Sequence, residues 1–364
     1  MKKINYDYLK SYSELLLLLK IKINYIGKKQ VKKPKRILII NSCLVGDFIA
    51  SSHAIRYFIK KNKAIVDVLV PSPIKPLAER IKGVNKVFTA KSICNRELEK
   101  SSINTNSKFP RYDFVLIMRI SPDSYNILKR LQFNSVKSYL KPIIKYFFHV
   151  TKCLLLRKNF KQWKTLNFEI IEEPEKHYSL DEIFNFKKSD YDQIKNLPEI
   201  KEKGKKIIIH AGGSGWKVKF WENNKWAELL KKINKIGKFK FIFVGAGEQE
   251  KKIFEQIQSK LDFKIYSLIN KIDLKELMLI LKISDYFIGV DSGPRNMAHL
   301  ADLPSISLLG PGPKHFMPIS KRDIIIDKSN CFCTNYFCYR RKTCLQKISA
   351  EEVFNGFIKL SHKI

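Results

Sequence analysis

Short apolar runs alternate along most of this chain with longer stretches whose apolar positions recur at helical spacing. RILII (36–40), AIVDVLV (64–70), VNKVFTA (84–90) and YDFVLIM (112–118) are too short for a helix with a buried face and rich in β-branched and aromatic residues, so they read as buried strands. Helices are expected over 48–61 and in KPLAERI (75–81). A second series follows, with strands at KIIIH (206–210), FKFIFVG (239–245), KIYSLI (264–269) and DYFIGV (285–290), and PSISLLG (304–310) as the last strand. Helices over 222–236, 248–261 and 273–282 separate them. In SAEEVFNGFIKL, Ser349 with Glu352 three residues later is a capping-box start for a terminal helix. Strands alternating with helices predict βαβ units and parallel sheets. The two series look like two versions of one architecture. The expected organisation is a basic N-terminal extension over 1–35, helical across 6–26, then an α/β domain over 36–190. A second α/β domain covers 200–347 and a C-terminal helix 348–364, with the charged, proline-containing stretch 172–204 as the interdomain region.

Length agrees: 364 residues suit two domains of about 100–200 each. A hydrophobic share of 45% and an aromatic share of 12% exclude a disordered chain. Charge adds something new. Lys and Arg number 69 against 34 acids, a formal +35. Such an excess fits either a lysine-rich solvated surface or an anionic partner: nucleic acid, a membrane surface or a phosphorylated substrate. Residues 124–168 hold ten Lys/Arg and no acid, interleaved with Tyr139, Tyr146, Phe147, Phe148 and Trp163. That mixture suits a lipid headgroup interface, and equally a core helix with snorkelling lysines. No helix-turn-helix, zinc-finger or RNP pattern supports nucleic acid. No run approaches the about 20 apolar residues of a membrane span, and the N-terminus lacks a signal-peptide cleavage pattern, so a cytoplasmic protein with reduced thiols is expected.

Ligands of open parallel sheets bind beyond the carboxyl ends of the strands, so the loops after strands carry the candidate chemistry. After RILII comes NSCLVGD, with Gly46 for a tight turn and Asp47 at the start of the next helix. Asp47 is a good N-cap and, alternatively, a general base for a hydroxyl. After KIIIH comes HAGGSGWKVKFW, where Gly212, Gly213 and Ser214 let a backbone approach a phosphate and Lys219 adds a cation; the ending of a Walker loop is missing. After DYFIGV come Asp291, Ser292 and Gly293, and a helix opened by Pro294, an anion-binding start. Seven cysteines cannot all pair internally, and Cys331, Cys333, Cys338 and Cys344 fall within 14 residues. Four thiolates can hold a structural Zn or Fe. The spacing has no CxxC pair, and small buried thiols bracing a loop fit as well.

Taken together, these segments resemble glycosyltransferase family 9, the ADP-heptose:lipopolysaccharide heptosyltransferases. The matching stretches are ILIINSCLVGDF, GGSGWKVKFW with Lys219-Phe220-Trp221, GVDSGPRNMAHLADLP followed by ISLLGPGP, and the cysteines before CLQKISAEEVF, spanning about 36–362. The resemblance implies an α/β protein of two Rossmann-like domains facing across a cleft, the glycosyltransferase B fold. It also implies an inverting, metal-independent transfer from a nucleotide-diphosphate sugar, ADP-heptose first, to an anionic lipopolysaccharide-core glycolipid or related surface glycan at the inner membrane. No cofactor is required for catalysis. By carry-over Asp47 is the base, with Gly46 beside it. Lys219, Ser292 and Gly293 neutralise the leaving diphosphate, Asp291 belongs to the same donor loop, and Glu248 takes ribose hydroxyls. Asn296 stands where the family usually has His; it can hydrogen-bond a phosphate but carries no charge, and His299 lies one helical step further on. Many members have Pro where this chain has His53. Transfer to a protein is an alternative within the enzyme class. A polyanion-binding protein and an inactive binding module are the alternatives outside it.

Overall fold

The computed structural model describes residues 16, 19, 20, 31, 33–91, 109–138, 167, 168, 171, 173–201, 204–212, 219–310, 320–328 and 343–362. The chain divides into two compact units, Met1–Asn185 and Phe186–Ile364. Of the expected helix over 6–26 the described residues are 16, 19 and 20, which are helical; of the basic stretch 124–168, residues 139–166 lie outside the described residues.

The first unit contains β1 (Arg36–Asn41), α1 (Val45–Asn62), β2 (Ile65–Pro71), α2 (Lys75–Ala78), β3 (Val84–Ala90), β4 (Tyr112–Arg119), α3 (Pro122–Leu128), β5 (Phe133–Ser138) and α4 (Leu180–Ile183). Its strands form one sheet in the order β3-β2-β1-β4-β5, every pairing parallel. Strands β1 and β4 are buried almost throughout, as unbroken Ile/Leu/Val runs demand when both faces are covered. Asp67 in β2 is fully buried and ties four strands together. It accepts from Arg36 of β1 (Nη2, 3.1 Å), Asn85 of β3 (2.7 Å) and Tyr112 of β4 (2.9 Å). Burial, and after it the neighbouring Asp67 carboxylate, pushes the Tyr112 phenol well above its ordinary range. The edge strand β5 was not expected from the sequence. It sits inside the acid-free stretch, where FNSVKS alternates too weakly to register as a strand.

The second unit contains α5 (Lys188–Lys195), α6 (Pro198–Lys201), β6 (Lys205–His210), α7 (Asn223–Ile236), β7 (Phe239–Phe243), α8 (Glu248–Gln258), β8 (Tyr266–Ser267), α9 (Leu274–Lys282), β9 (Tyr286–Val290), α10 (Gly293–Leu300), β10 (Ser305–Leu309), β11 (Asp323–Asp327) and α11 (Ala350–Ser361). The sheet order is β11-β10-β9-β6-β7-β8, again all parallel. The expectation that PSISLLG is the last strand is corrected here: DIIID (323–327) follows it and pairs with β10. This edge strand is only half-buried, three isoleucines between two aspartates, so its apolar run is shorter than those of the inner strands. The C-terminal helix α11 packs on α7 and closes the same core, with Ser349 and Glu352 forming the expected capping box.

Both sheets are therefore wound outward from a central pair. The first and fourth strands of each unit, β1 with β4 and β6 with β9, lie side by side. Crossovers leave such a pair toward opposite sides, and the crevice at its carboxyl end is where ligands of open sheets bind. Two Rossmann-like α/β units are thus the observed fold class.

Helix α10, which starts at the second of these crevices, is clamped by a buried network. Arg295, with no exposed surface, donates to Ser307 (2.9 Å) and pairs with Asp323 at 3.4 Å. Asp323 also meets His299 Nδ1 at 3.0 Å, takes the backbone N–H of Ser320 at 2.7 Å and accepts from Ser305. Burial works to raise the Asp323 pKa, but the hydrogen bonds from His299 and Ser305, the Arg295 charge and the Ser320 N–H together hold it below the ordinary carboxylate value. The Asp323→Asn variant removes the carboxylate that pairs directly with the buried Arg295 charge. It is expected to lose about 3 kcal/mol of stability near neutral pH, read as a lower urea midpoint. A depressed folded-state pKa gives stability that is present above the unfolded value and lost as pH falls through the folded one. The gap between variant and parent should therefore narrow on acidification below about pH 4.

Candidate active site

At the crevice of the first unit, β1 runs into Ser42, Cys43 and Leu44 before α1 begins. The N-cap of α1 is Leu44, without a side-chain capping bond. Asp47 is the third helical residue, so its reading as N-cap does not hold, although a carboxylate in the first turn suits the positive end of the helix. Gly46 precedes it in the same turn. On the other side of the crevice β4 shifts register against β1. Ile40 pairs with Ile117, and Asn41 with Arg119, skipping Met118. The Arg119 carbonyl accepts the N–H of Ser42 at 3.1 Å. Its Nη2 lies 4.0 Å from Asp47 Oδ2. His53, further along α1, is buried. Its Nδ1 accepts the N–H of Tyr178 at 3.1 Å and its ring stacks on His177 at 5.0 Å, so it is engaged away from Asp47 as a packing residue of the helix.

At the crevice of the second unit, the segment after β6 is fixed by Trp221. Its indole N–H donates to the Ile348 carbonyl (3.0 Å), and its ring meets Trp226 edge-on at 4.9 Å. Two residues before this anchor, Lys219 reaches Asp291, Nζ to Oδ2 3.0 Å, in the loop after β9. Ser292 caps α10 by accepting the Arg295 N–H (3.4 Å), and Gly293 is the first helical residue. Asn296, one turn in, is buried, and its Oδ1 has no hydrogen-bond partner among the described residues. His299 belongs to the last turn and faces Asp323, so it does not replace a histidine at position 296. Gly212 marks the end of the described part of the glycine-rich loop; Gly213 and Ser214 lie outside the described residues.

The loop after β7 holds two carboxylates with different roles. Glu248 opens α8 and is exposed. Glu250 turns back over the sheet edge, taking the Ala246 N–H at 3.2 Å and lying 3.5 Å from His210 Nε2 at the end of β6. Two glycines make room for it: a Cβ on Gly245, whose φ is +155°, would sit 1.5 Å from Glu250 Oε2, and one on Gly212 would sit 2.8 Å from its Cγ. Sequence reasoning missed Glu250 and Arg119. The signals were a second acid in GEQE and a cation closing an apolar strand. Of the cysteine cluster, Cys344 is described and buried, while Cys331, Cys333 and Cys338 lie outside the described residues. Among the described residues no group of three potential ligands could hold a metal ion.

The two units thus present two switch-point crevices, one with a carboxylate in a helix's first turn and one with a lysine–aspartate pair at a capped helix start. The model of glycosyltransferase family 9 (heptosyltransferase) matches residues 144–347, and the chain belongs to that family. It is a glycosyltransferase. A lipopolysaccharide heptosyltransferase 1 of Campylobacter coli is 23% identical over 335 residues, 87% of this chain and 96% of that protein. A lipooligosaccharide heptosyltransferase 2 of Campylobacter jejuni is 24% identical over 173 residues, so the match spans about half of each protein, 45% of this chain and 54% of that one. Among solved structures, an ADP-heptose lipopolysaccharide heptosyltransferase II from E. coli superposes with a TM-score of 0.65 at 17% identity, covering 90% of this chain and 99% of that one. The fold is thus that of the glycosyltransferase B heptosyltransferases.

Proposed function

We propose that this chain is an inverting glycosyltransferase that moves heptose from ADP-heptose to a hydroxyl of a lipopolysaccharide-core glycolipid. The observation that carries the reading is the Lys219–Asp291 pair beside the Ser292-capped start of α10. There a cation and the N-terminal end of a helix converge on one switch point, an arrangement that suits a diphosphate. The named relatives, which are heptosyltransferases of lipopolysaccharide or lipooligosaccharide, support the choice of sugar and acceptor.

In this reading the acceptor oxygen attacks the anomeric carbon from the face opposite the diphosphate. The new C–O bond forms as the sugar–phosphate bond breaks, and inversion follows from this single displacement. Asp47 takes the hydroxyl proton, since a sugar hydroxyl is a poor nucleophile until it loses that proton. The bonding pair leaves with ADP. Charge grows on the diphosphate during departure, and Lys219 with the α10 N-terminus stabilises it more in the transition state than in the ground state. Lys219 thus supplies the positive charge, and no catalytic metal is required. Asp291 holds the ammonium in place before the donor arrives. Asn296 offers a neutral amide where the family usually has His, and exposed Glu248 is placed to take ribose hydroxyls.

Asp47→Asn should lower turnover by about 10²–10⁴-fold, the usual worth of a general base, while ADP still raises the melting temperature. Lys219→Met should instead weaken ADP binding about 10–100-fold by calorimetry, the scale of a lost charge-assisted hydrogen bond. Near-normal turnover in the Asp47 variant would remove the base assignment.

The reading includes docking on the cytoplasmic face of the inner membrane through cationic surface, supported by the +35 charge; no described helix is long and apolar enough to cross a membrane. The protein should sediment with phosphatidylglycerol vesicles but not with phosphatidylcholine vesicles, and raised salt should release it. A structural metal held by Cys331, Cys333, Cys338 and Cys344 fits the softness of a four-thiolate set. Elemental analysis of protein purified under reducing conditions should find one Zn or Fe per chain, and a metal-free, folded protein would end that part of the reading.

A further inference from the structure

The first-unit crevice contains a charge that the mechanism above does not use. Arg119 follows the apolar run Phe114–Met118 at the end of its strand, and its side chain is only 9% exposed. Burying a guanidinium costs several kcal/mol unless an anion compensates it. The chain nonetheless puts one at the carboxyl end of β4, beside β1, where ligands of this fold bind. The register shift is what aims it: by skipping Met118 the strand brings Arg119 opposite Asn41, where β1 gives way to the loop that leads to Asp47. Irregularities of this kind re-aim a side chain near active sites.

We propose that Arg119 is a positioning residue for the transfer reaction, holding the Asp47 carboxylate in the orientation that receives the acceptor proton. The inference rests on the reading of Asp47 as base. At 4.0 Å the contact is Coulombic and too long for a hydrogen bond, so it orients the carboxylate without consuming a lone pair. Among the described residues neither Asp47 oxygen has a hydrogen-bond partner, which leaves both for the acceptor hydroxyl. Arg119 is fixed at its own backbone by the Ser42 N–H bond, so β1, the loop and β4 share one frame. A carboxylate on an exposed helix turn samples several rotamers; next to an anchored cation it is biased to one.

The test uses the full-length enzyme with ADP-heptose and heptose-deficient lipopolysaccharide, reading released ADP. Arg119→Met should lower kcat about 100-fold, the scale of a misplaced catalytic group, with acceptor KM and ADP affinity unchanged. Arg119→Lys keeps the charge and should recover about tenfold of the loss. The Asp47→Asn/Arg119→Met double variant should be no slower than Asp47→Asn alone, because a residue that acts through Asp47 has nothing left to position. Melting temperatures accompany each assay, and Arg119→Gln replaces the Met variant if that one does not fold. Wild-type kcat in Arg119→Met, a rise confined to acceptor KM, or a fully multiplicative loss in the double variant would each overturn the inference. The second of these would make Arg119 an acceptor contact instead. An active Asp47→Asn enzyme, by contrast, defeats the base reading itself, whatever Arg119 does, and a wild type without turnover on this pair defeats the donor and acceptor assignment.

Discussion

When a parallel sheet is wound outward in both directions from a central pair of strands, the two crossovers that follow those strands depart toward opposite faces. The carboxyl ends of that pair are then left uncovered, and no helix of the same unit can fill the gap. Both units of this glycosyltransferase obey that constraint, and it decides where their chemistry sits. β1 and β4 leave one gap, β6 and β9 the other. Each gap is flanked by a carboxylate and a cation from different strands. In the first unit the acid follows the first strand and the cation ends the fourth, Asp47 with Arg119. In the second unit the order reverses, Lys219 after the first strand and Asp291 after the fourth. One topology therefore serves two tasks by exchanging which sign is carried on which loop.

The two pairs differ in a way that matches those tasks. Lys219 and Asp291 touch at hydrogen-bond distance, and both side chains are partly exposed. Such a pair is weak in water-accessible surroundings, so an incoming diphosphate, with more charge and more acceptors, can draw the ammonium away at little cost. The Asp47–Arg119 contact is longer, and its cation is somewhat more buried, 9% exposed against 17%. It suits a group that must stay where it is and remain able to accept a proton.

The inner strands and the positions of the loops that follow them were legible in the sequence, because inner strands of a parallel sheet must be apolar without interruption. RILII, KIIIH and DYFIGV announce themselves for that reason, and the chemistry-bearing loops follow them directly. Edge strands obey a weaker rule. β5 and β11 bury only part of their surface, so FNSVKS and DIIID carry a signal no stronger than a loop's. Arg119 escaped for a related reason: nothing in YDFVLIMR shows that the strand skips Met118 at its end, and a terminal cation ordinarily marks only where burial stops. Glu250 escaped because one of two neighbouring acids had to be chosen. Which of them turns inward depends on Gly212 and Gly245 clearing space, a fact of three dimensions. Asp47 shows the opposite case, where a strong local preference for capping is overridden because the helix begins at Val45, two residues before its best cap.

Preorganisation is what links the buried network of the second unit to its open site. A helix N-terminus stabilises departing negative charge only if it does not move as the charge appears. The start of α10 cannot be braced by its ligand-facing side, so it is held from behind. Arg295, from the first turn, threads past Ser307 to Asp323, and His299 from the last turn meets the same carboxylate. Both ends of the helix are thereby tied to β10 and β11. A cation at position 295 spent inward on rigidity leaves the ligand-facing charge to Lys219, with the neutral Asn296 beside it. The immobile charge thus fixes the frame in a dry interior, while in the proposed transfer the lysine exchanges Asp291 for phosphate oxygens as the leaving group separates.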